Sequence, residues 1–137
     1  MTPEQIAAWE AQPFPRLFQL RIAEAAEGRA RIDVRQEAVK LRGVRASING
    51  GMVAAFMESA ARLCLDTVLE SGERAGPTQE LSVSYLSAAR GALTAVEARL
   101  LRRGGRLAVV DVELSDPEAG TLNARATISL AIEPPRE

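Results

Sequence analysis

The chain has 137 residues, 47% of them apolar, 26% charged and 4% aromatic. That is enough for one domain with a substantial core, and the balance excludes wholesale disorder. Seventeen basic residues against eighteen acidic ones leave a net charge of −1, without the basic excess that marks a nucleic-acid binder.

The first element is a short helix over residues 3–11. Thr2 is its cap, Pro3 suits the first helical position and Gln5 completes a capping box. Pro13 and Pro15 are expected to end it, within an N-terminal helical segment of residues 1–14. Phe18, Leu20 and Ile22 then alternate with Gln19 and Arg21. Ala30, Ile32 and Val34 alternate with Arg29, Arg31, Asp33 and Arg35. These read as two half-buried strands joined by a turn at Glu27 and Gly28.

Residues 49–69 are apolar on nearly every helical face, as in a helix buried in the middle of a domain. Glu58, Arg62 and Asp66 share one stripe at i, i+4, i+8. Gly72 to Pro77 are expected to break the helix. Four strands follow. The first carries Leu81, Val83 and Tyr85, and the second Val96, Ala98 and Leu100. The third carries Ala108, Val110, Val112 and Leu114 after a turn at Gly104 and Gly105. The last alternates Leu122, Ala124, Ala126, Ile128, Leu130 and Ile132 with Asn123, Arg125, Thr127 and Ser129. Residues 133–137 form a frayed tail. The order β-β-α-β-β-β-β predicts a single α+β domain over residues 1–137, a curved antiparallel sheet wrapped round one long helix.

Chemistry is bounded by the absence of histidine. Ser-His-Asp triads, Cys-His dyads and HExxH zinc sites are all excluded. The single cysteine, Cys64, can make neither an intrachain disulfide nor a thiolate cage, and on the buried helix it reads as a core residue. No metal or separate cofactor is expected. Ser47, Ser59, Ser82 and Ser84 lack an imidazole to activate them. Trp9 and Phe14 read as anchors of the first helix. Glu4 and Glu10 fall where a signal peptide needs an apolar run, and no stretch approaches 18 apolar residues. The expected setting is cytoplasmic, without membrane or nucleic-acid partners.

Two features remain. Asn49, Gly50 and Gly51 open the buried helix, where an Asn cap and unbonded N–H groups can polarise a carbonyl or simply form a turn. Glu58 lies two turns on; it is either an i, i+4 ion pair with Arg62 or a general base or nucleophile. Gly50 and Glu58 are about 12 Å apart at 1.5 Å per residue. Both can touch one carbonyl only if a second copy of the helix runs antiparallel beside the first, as in a C2 dimer.

The run from Asn49 to Glu58 resembles the helix-opening motif of hotdog-fold acyl-CoA thioesterases. In their phenylacetic-acid-degradation and 4-hydroxybenzoyl-CoA thioesterase branches the motif is His-Gly-Gly, followed seven residues later by Asp or Glu, where Glu58 stands. The segment from Thr78 to Leu86 resembles the strand after the helix. Ala88 to Gly91 and Arg102 to Arg106 resemble the next loop and hairpin, so the match spans residues 40–132. The resemblance implies a hotdog dimer that can pair into a tetramer, and hydrolysis of an acyl-CoA thioester. It implies that the Gly50 N–H polarises the carbonyl at the helix start, beside Asn49. Glu58 of the other subunit attacks or activates water, and Thr78 positions that step. Gly51, Arg90, Arg102, Arg103, Gly105 and Arg106 hold CoA, which is part of the substrate. The chain departs from the family where Asn49 replaces its His and Gly43 replaces an Asn or Gln six residues earlier. Two alternatives stay open: a hotdog protein that binds acyl-CoA or a similar ligand without turnover, and a structural or interaction protein in which Glu58 pairs with Arg62.

Overall fold

The computed structural model describes residues 1–40, 42–43 and 46–136. Helix α1, Pro3–Glu10, has the capping box expected: Thr2 Oγ1 accepts from the Gln5 N–H and Gln5 Oε1 from the Thr2 N–H. The first helix ends at Glu10, ahead of Pro13 and Pro15 as expected, but the two prolines are not followed directly by a strand. They open a second helix, α2 (Pro13–Leu17), with Pro13 at its first position, where a missing N–H costs nothing. The strand expected from Phe18 therefore starts three residues later. Phe18 caps α2, Gln19 turns through φ 54° and strand β1 is Arg21–Ala26. β2 is Arg29–Arg35, and its turn carries Glu27 at φ 51° and Gly28 at φ 80°, the left-handed pair that a tight hairpin requires.

Helix α3 is Gly50–Asp66, shorter than the apolar run suggested. Val53, Phe56, Met57, Ala60, Ala61, Leu63, Cys64 and Leu65 are buried. Ala55, Glu58 and Arg62 are only half-buried, and Gly51 and Asp66 are exposed. The helix thus leaves one stripe uncovered. Phe56 meets Phe18 and Phe14 at ring centroid distances of 5.4 and 6.0 Å, which locks α2 onto α3.

Strand β3, Arg74–Tyr85, begins inside the stretch expected to be a breaker. Gly76 and Pro77 are tolerated because β3 is an edge strand with irregular pairing to β6 between Ala75 and Thr78. β4 is Leu93–Arg103, β5 Leu107–Asp116 and β6 Thr121–Glu133. The six strands form one antiparallel sheet in the order β1-β2-β4-β5-β6-β3, with α3 packed on its inner face. Pro135 lies against Gly72, so the tail is held at that point; Glu137 is outside the described residues. Among the described residues no helix is long and apolar enough to cross a membrane.

The two sheet edges differ. Along β1 the Glu10 carboxylate accepts the Ile22 N–H at 2.9 Å and the Met1 amino group donates to Ala25 O at 3.0 Å. On β3 a side chain covers only the start, where Arg62 donates to Gly76 O; from Thr78 to Tyr85 no such cover is found among the described residues, and Leu81 and Tyr85 are exposed.

Candidate active site

At the start of α3, Asn49 Oδ1 accepts the Gly51 N–H at 2.9 Å, and the Val53 N–H bonds Asn49 O. The Gly50 N–H has no partner among the described residues. It is an unspent donor at the positive end of a 17-residue helix. Tyr85 covers this turn: its hydroxyl donates to Gly50 O at 2.6 Å, and a Cβ at residue 50 would stand 3.5 Å from its ring. The tyrosine was read from sequence only as part of a strand's apolar face. A cleft of about 500 Å³ opens here, between Gly43, Asn49 and Gly50 on one side and Leu114 and Asn123 on the other. Gly43 is crowded: a Cβ there would stand 3.2 Å from Ser47 Oγ and 3.3 Å from Ile48 O.

Glu58 is not in that cleft. It is half-buried two turns along α3, and its Oε2 accepts the Thr78 hydroxyl at 2.8 Å. A bulge in β3 makes this contact possible. Leu81, Val83 and Tyr85 pair with Ile128, Ala126 and Ala124 on the helix-facing side, while Glu80 pairs with Ser129 on the outer side. Simple alternation would send Thr78 outward with Glu80. The register shift at Gln79 instead sets Thr78 opposite Leu130, on the inner side and within reach of Glu58.

The ion pair between Glu58 and Arg62 is absent. Arg62 turns to the start of β3 and donates to Gly76 O at 2.9 Å and Ala75 O at 3.4 Å.

Arg90 is exposed, with no ion pair or hydrogen bond among the described residues, in a second cleft of about 330 Å³ with Gly91, Asp116 and Thr121. Ser87, Ala88 and Asn123 line both clefts, so the two adjoin along this segment. The arginine hairpin lies elsewhere. The β4–β5 turn is at the sheet end where Leu107 pairs with Ala131, opposite the end where Leu114 and Tyr85 both pair with Ala124. Arg103 is bound there to Glu73 and to Gly104 O, while Arg102, Gly105 and Arg106 are exposed. Within one chain the hairpin does not meet Arg90.

Asn123 was read as part of the solvent face of β6 and is instead buried, at 4% exposure. It sits at a second bulge. Leu114 pairs with Ala124 and Ser115 with Leu122, leaving Asn123 unpaired on β5 and turned in toward Ser87. No periodicity shows such a bulge in advance.

Comparison with solved structures places this architecture among hotdog folds. A thioesterase from Haemophilus influenzae superposes with TM-score 0.87 at 15% identity, over 100% of this chain and 94% of that one. A mutant thioesterase from Pseudomonas aeruginosa gives 0.84 at 19%, over 98% and 96%. A conserved protein from the same organism gives 0.81 at 21%, over 96% and 99%. At these identities the likeness is one of fold. No curated protein matches the sequence significantly. The family model of the thioesterase superfamily matches residues 46–122, from the turn before α3 to the start of β6, and on that match the chain belongs to the thioesterase superfamily.

Proposed function

We propose that the protein hydrolyses acyl-CoA thioesters at sites shared between two copies of the chain, with Glu58 as the catalytic carboxylate. The observation that carries this reading is the hydrogen bond from Thr78 to Glu58 Oε2 beneath an uncovered strand edge. It holds one carboxylate oxygen and leaves the other available. The Gly50 N–H is the matching electrophilic element, about 12 Å away along the same helix.

Pairing of two β3 edges brings the halves together. An antiparallel pair centred on Ser82 sets Leu81 opposite Val83 of the second copy and carries Tyr85 to the second copy's bulge at Gln79. Tyr85 covers Gly50 and Thr78 holds Glu58, so each Gly50 approaches the other chain's Glu58. The same arrangement brings the hairpin of one copy to the groove end of the other, where Arg102 and Arg106 can join Arg90 around the CoA phosphates.

In the reaction the Gly50 N–H donates a hydrogen bond to the thioester oxygen as negative charge develops on it. Glu58 takes a proton from water as the oxygen adds to the carbonyl carbon. The C–S bond then breaks and the thiolate recovers the proton. Direct attack by Glu58 would instead break the C–S bond, expel the thiolate and give a mixed anhydride, which water then opens to the acid and the free Glu58 carboxylate. Binding without turnover is the competing reading. It rests on Gly43, which brings no side-chain amide, and on Asn49, whose oxygen is taken up by the helix cap.

The test is hydrolysis of short, long and aromatic acyl-CoAs by wild type and Glu58→Gln, with light scattering on both. A dimer that hydrolyses one class and loses the activity in Glu58→Gln supports the proposal. A monomer at micromolar concentration ends the shared-site scheme. A folded, dimeric and fully active Glu58→Gln variant excludes Glu58 as the catalytic group.

A further inference from the structure

Helix α3 opens on two residues that are poorly able to hold a helical turn by themselves. Gly50 and Gly51 have no side chains to pack, and glycine has the lowest helix propensity apart from proline. Asn49 and Gly51 are exposed and Gly50 is half-buried; the first buried side chain of the helix is Val53. Something other than the core must hold the turn that presents the Gly50 N–H.

Two side chains do so, and they grip one peptide unit. The unit joining Gly50 to Gly51 carries the Gly50 oxygen and the Gly51 N–H. The oxygen accepts the Tyr85 hydroxyl at 2.6 Å, and the N–H donates to Asn49 Oδ1 at 2.9 Å. A peptide unit is planar, with these two groups on opposite edges. Tethers on both edges stop the plane from rocking about its Cα–Cα axis. The preceding unit carries the Gly50 N–H, and its own oxygen, that of Asn49, accepts the Val53 N–H at 3.0 Å. The two planes meet at Gly50 Cα, where no Cβ restricts their relative rotation. Release of the second plane therefore loosens the N–H of the first.

Tyr85 is itself firmly placed. Its backbone pairs with Ala124 in the ladder between β3 and β6, and the next two N–H groups, of Leu86 and Ser87, donate to Asn123 O at 2.8 and 3.1 Å. Asn49 belongs to the turn that it caps, so Tyr85 is the tether anchored outside it.

We infer that Tyr85 is a positioning residue for the thioester-polarising donor: its hydroxyl fixes the peptide between Gly50 and Gly51, and through it the direction of the Gly50 N–H, without touching the substrate. This rests on the thioesterase reading for what the donor does, but not for the tether itself. A donor aimed in advance need not be reoriented as charge develops, and that advantage appears in kcat and not in KM.

The test is Tyr85→Phe, which removes the hydroxyl and keeps the ring, with light scattering to check the dimer. Backbone amide relaxation by NMR gives the order parameters of the Gly50 and Gly51 N–H groups with no need of substrate. They should lie near the rigid value of about 0.85 in wild type and fall toward about 0.6 in Tyr85→Phe, while those from Phe56 to Leu63 stay unchanged. On the acyl-CoA that wild type hydrolyses fastest, kcat should fall about fivefold, the worth of one neutral hydrogen bond, with KM little altered. Unchanged order parameters at the two glycines, a fall shared by the whole of α3, or an unchanged kcat overturns the inference. Loss of the dimer overturns it too, by making Tyr85 an assembly residue, and so does a change confined to KM, by making it a substrate contact. A wild type that turns over no acyl-CoA overturns the catalytic proposal instead, and the order parameters then decide the tether alone.

Discussion

The two ends of α3 are built to opposite rules. At its C-terminal end the polar groups next to the helix terminus answer one another, while Arg102 and Arg106 on the neighbouring hairpin stay exposed. Thr67 Oγ1 accepts the Gly28 N–H at 2.8 Å and donates to Cys64 O at 2.7 Å, and Cys64 Sγ lies 3.2 Å from Gly28 O. Arg103 is bound to Glu73, and Arg74 to Glu133 at 2.9 Å. At its N-terminal end the Gly50 N–H, the Asn123 Oδ1 and the Arg90 guanidinium are all unengaged among the described residues. An end whose donors and acceptors are mutually paired holds the fold together; an end that leaves them open is prepared for something else to complete it. Arginine number alone does not make this distinction, because Arg103 belongs to the saturated end.

Substitutions should divide along the same line. The largest effect is expected at Glu58, which the proposed scheme assigns to the open end of a second copy. Glu58→Gln should lower kcat at least about 10²-fold while the melting temperature hardly moves; equal losses of activity and stability would make Glu58 a fold residue. Thr78→Val removes the hydroxyl that orients the carboxylate and should lower kcat about tenfold with little change in KM. Arg90→Ala should raise KM for an acyl-CoA about fivefold at low ionic strength and less in high salt; a salt-independent KM would make it an ordinary surface charge. At the closed end Thr67→Val leaves the Gly28 N–H without an acceptor. Denaturant unfolding should show a loss of about 1–2 kcal/mol with kcat/KM unchanged.

The smallest expected effect is at Cys64. Burial pushes its thiol up to about 11, partly offset by the backbone of Leu100. At pH 8 it is therefore a neutral thiol with no thiolate to react, and iodoacetamide should modify it only in denaturant or as the pH nears that value. Rapid alkylation of the native protein at pH 8 would show that this end opens readily.

Most of the closed end was legible in the sequence, and much less of the open end. Alternation marks β2, β4 and β5 because their inner faces lie against α3. The apolar run marks α3, and the spacing from Asn49 to Glu58 marks its N-terminal turn and its carboxylate. Prolines misled in both directions. Pro13 starts a helix and Pro77 lies within an edge strand, because what decides is whether the missing N–H had a partner to lose. The two bulges could not be read at all. Gln79 and Asn123 break the pleat by one residue each, and that single step turns Thr78 and Asn123 inward. Period-two patterns assign both to the solvent face. The Arg62 contact to Gly76 O was hidden for another reason: it joins residues 14 apart through a turn, whereas Glu58 lies one helical turn away.

The sheet's unequal edges set a limit on growth. Along β1 the outward N–H of Ile22 and the outward carbonyl of Ala25 are already occupied by groups of the chain's own N-terminal segment. Along β3, among the described residues, the outward groups from Tyr85 back to Thr78 are unoccupied; Pro77 O accepts from Gln79 Nε2 at 3.4 Å, and Pro77 has no N–H to offer a strand extending past it. A subunit with one sealed border and one open border can recruit a single neighbour through strand addition, and the act of joining consumes both open borders. Polymerisation by this route therefore terminates at two. The chain can expose Leu81 and Tyr85 on a bare strand without becoming the seed of a fibre.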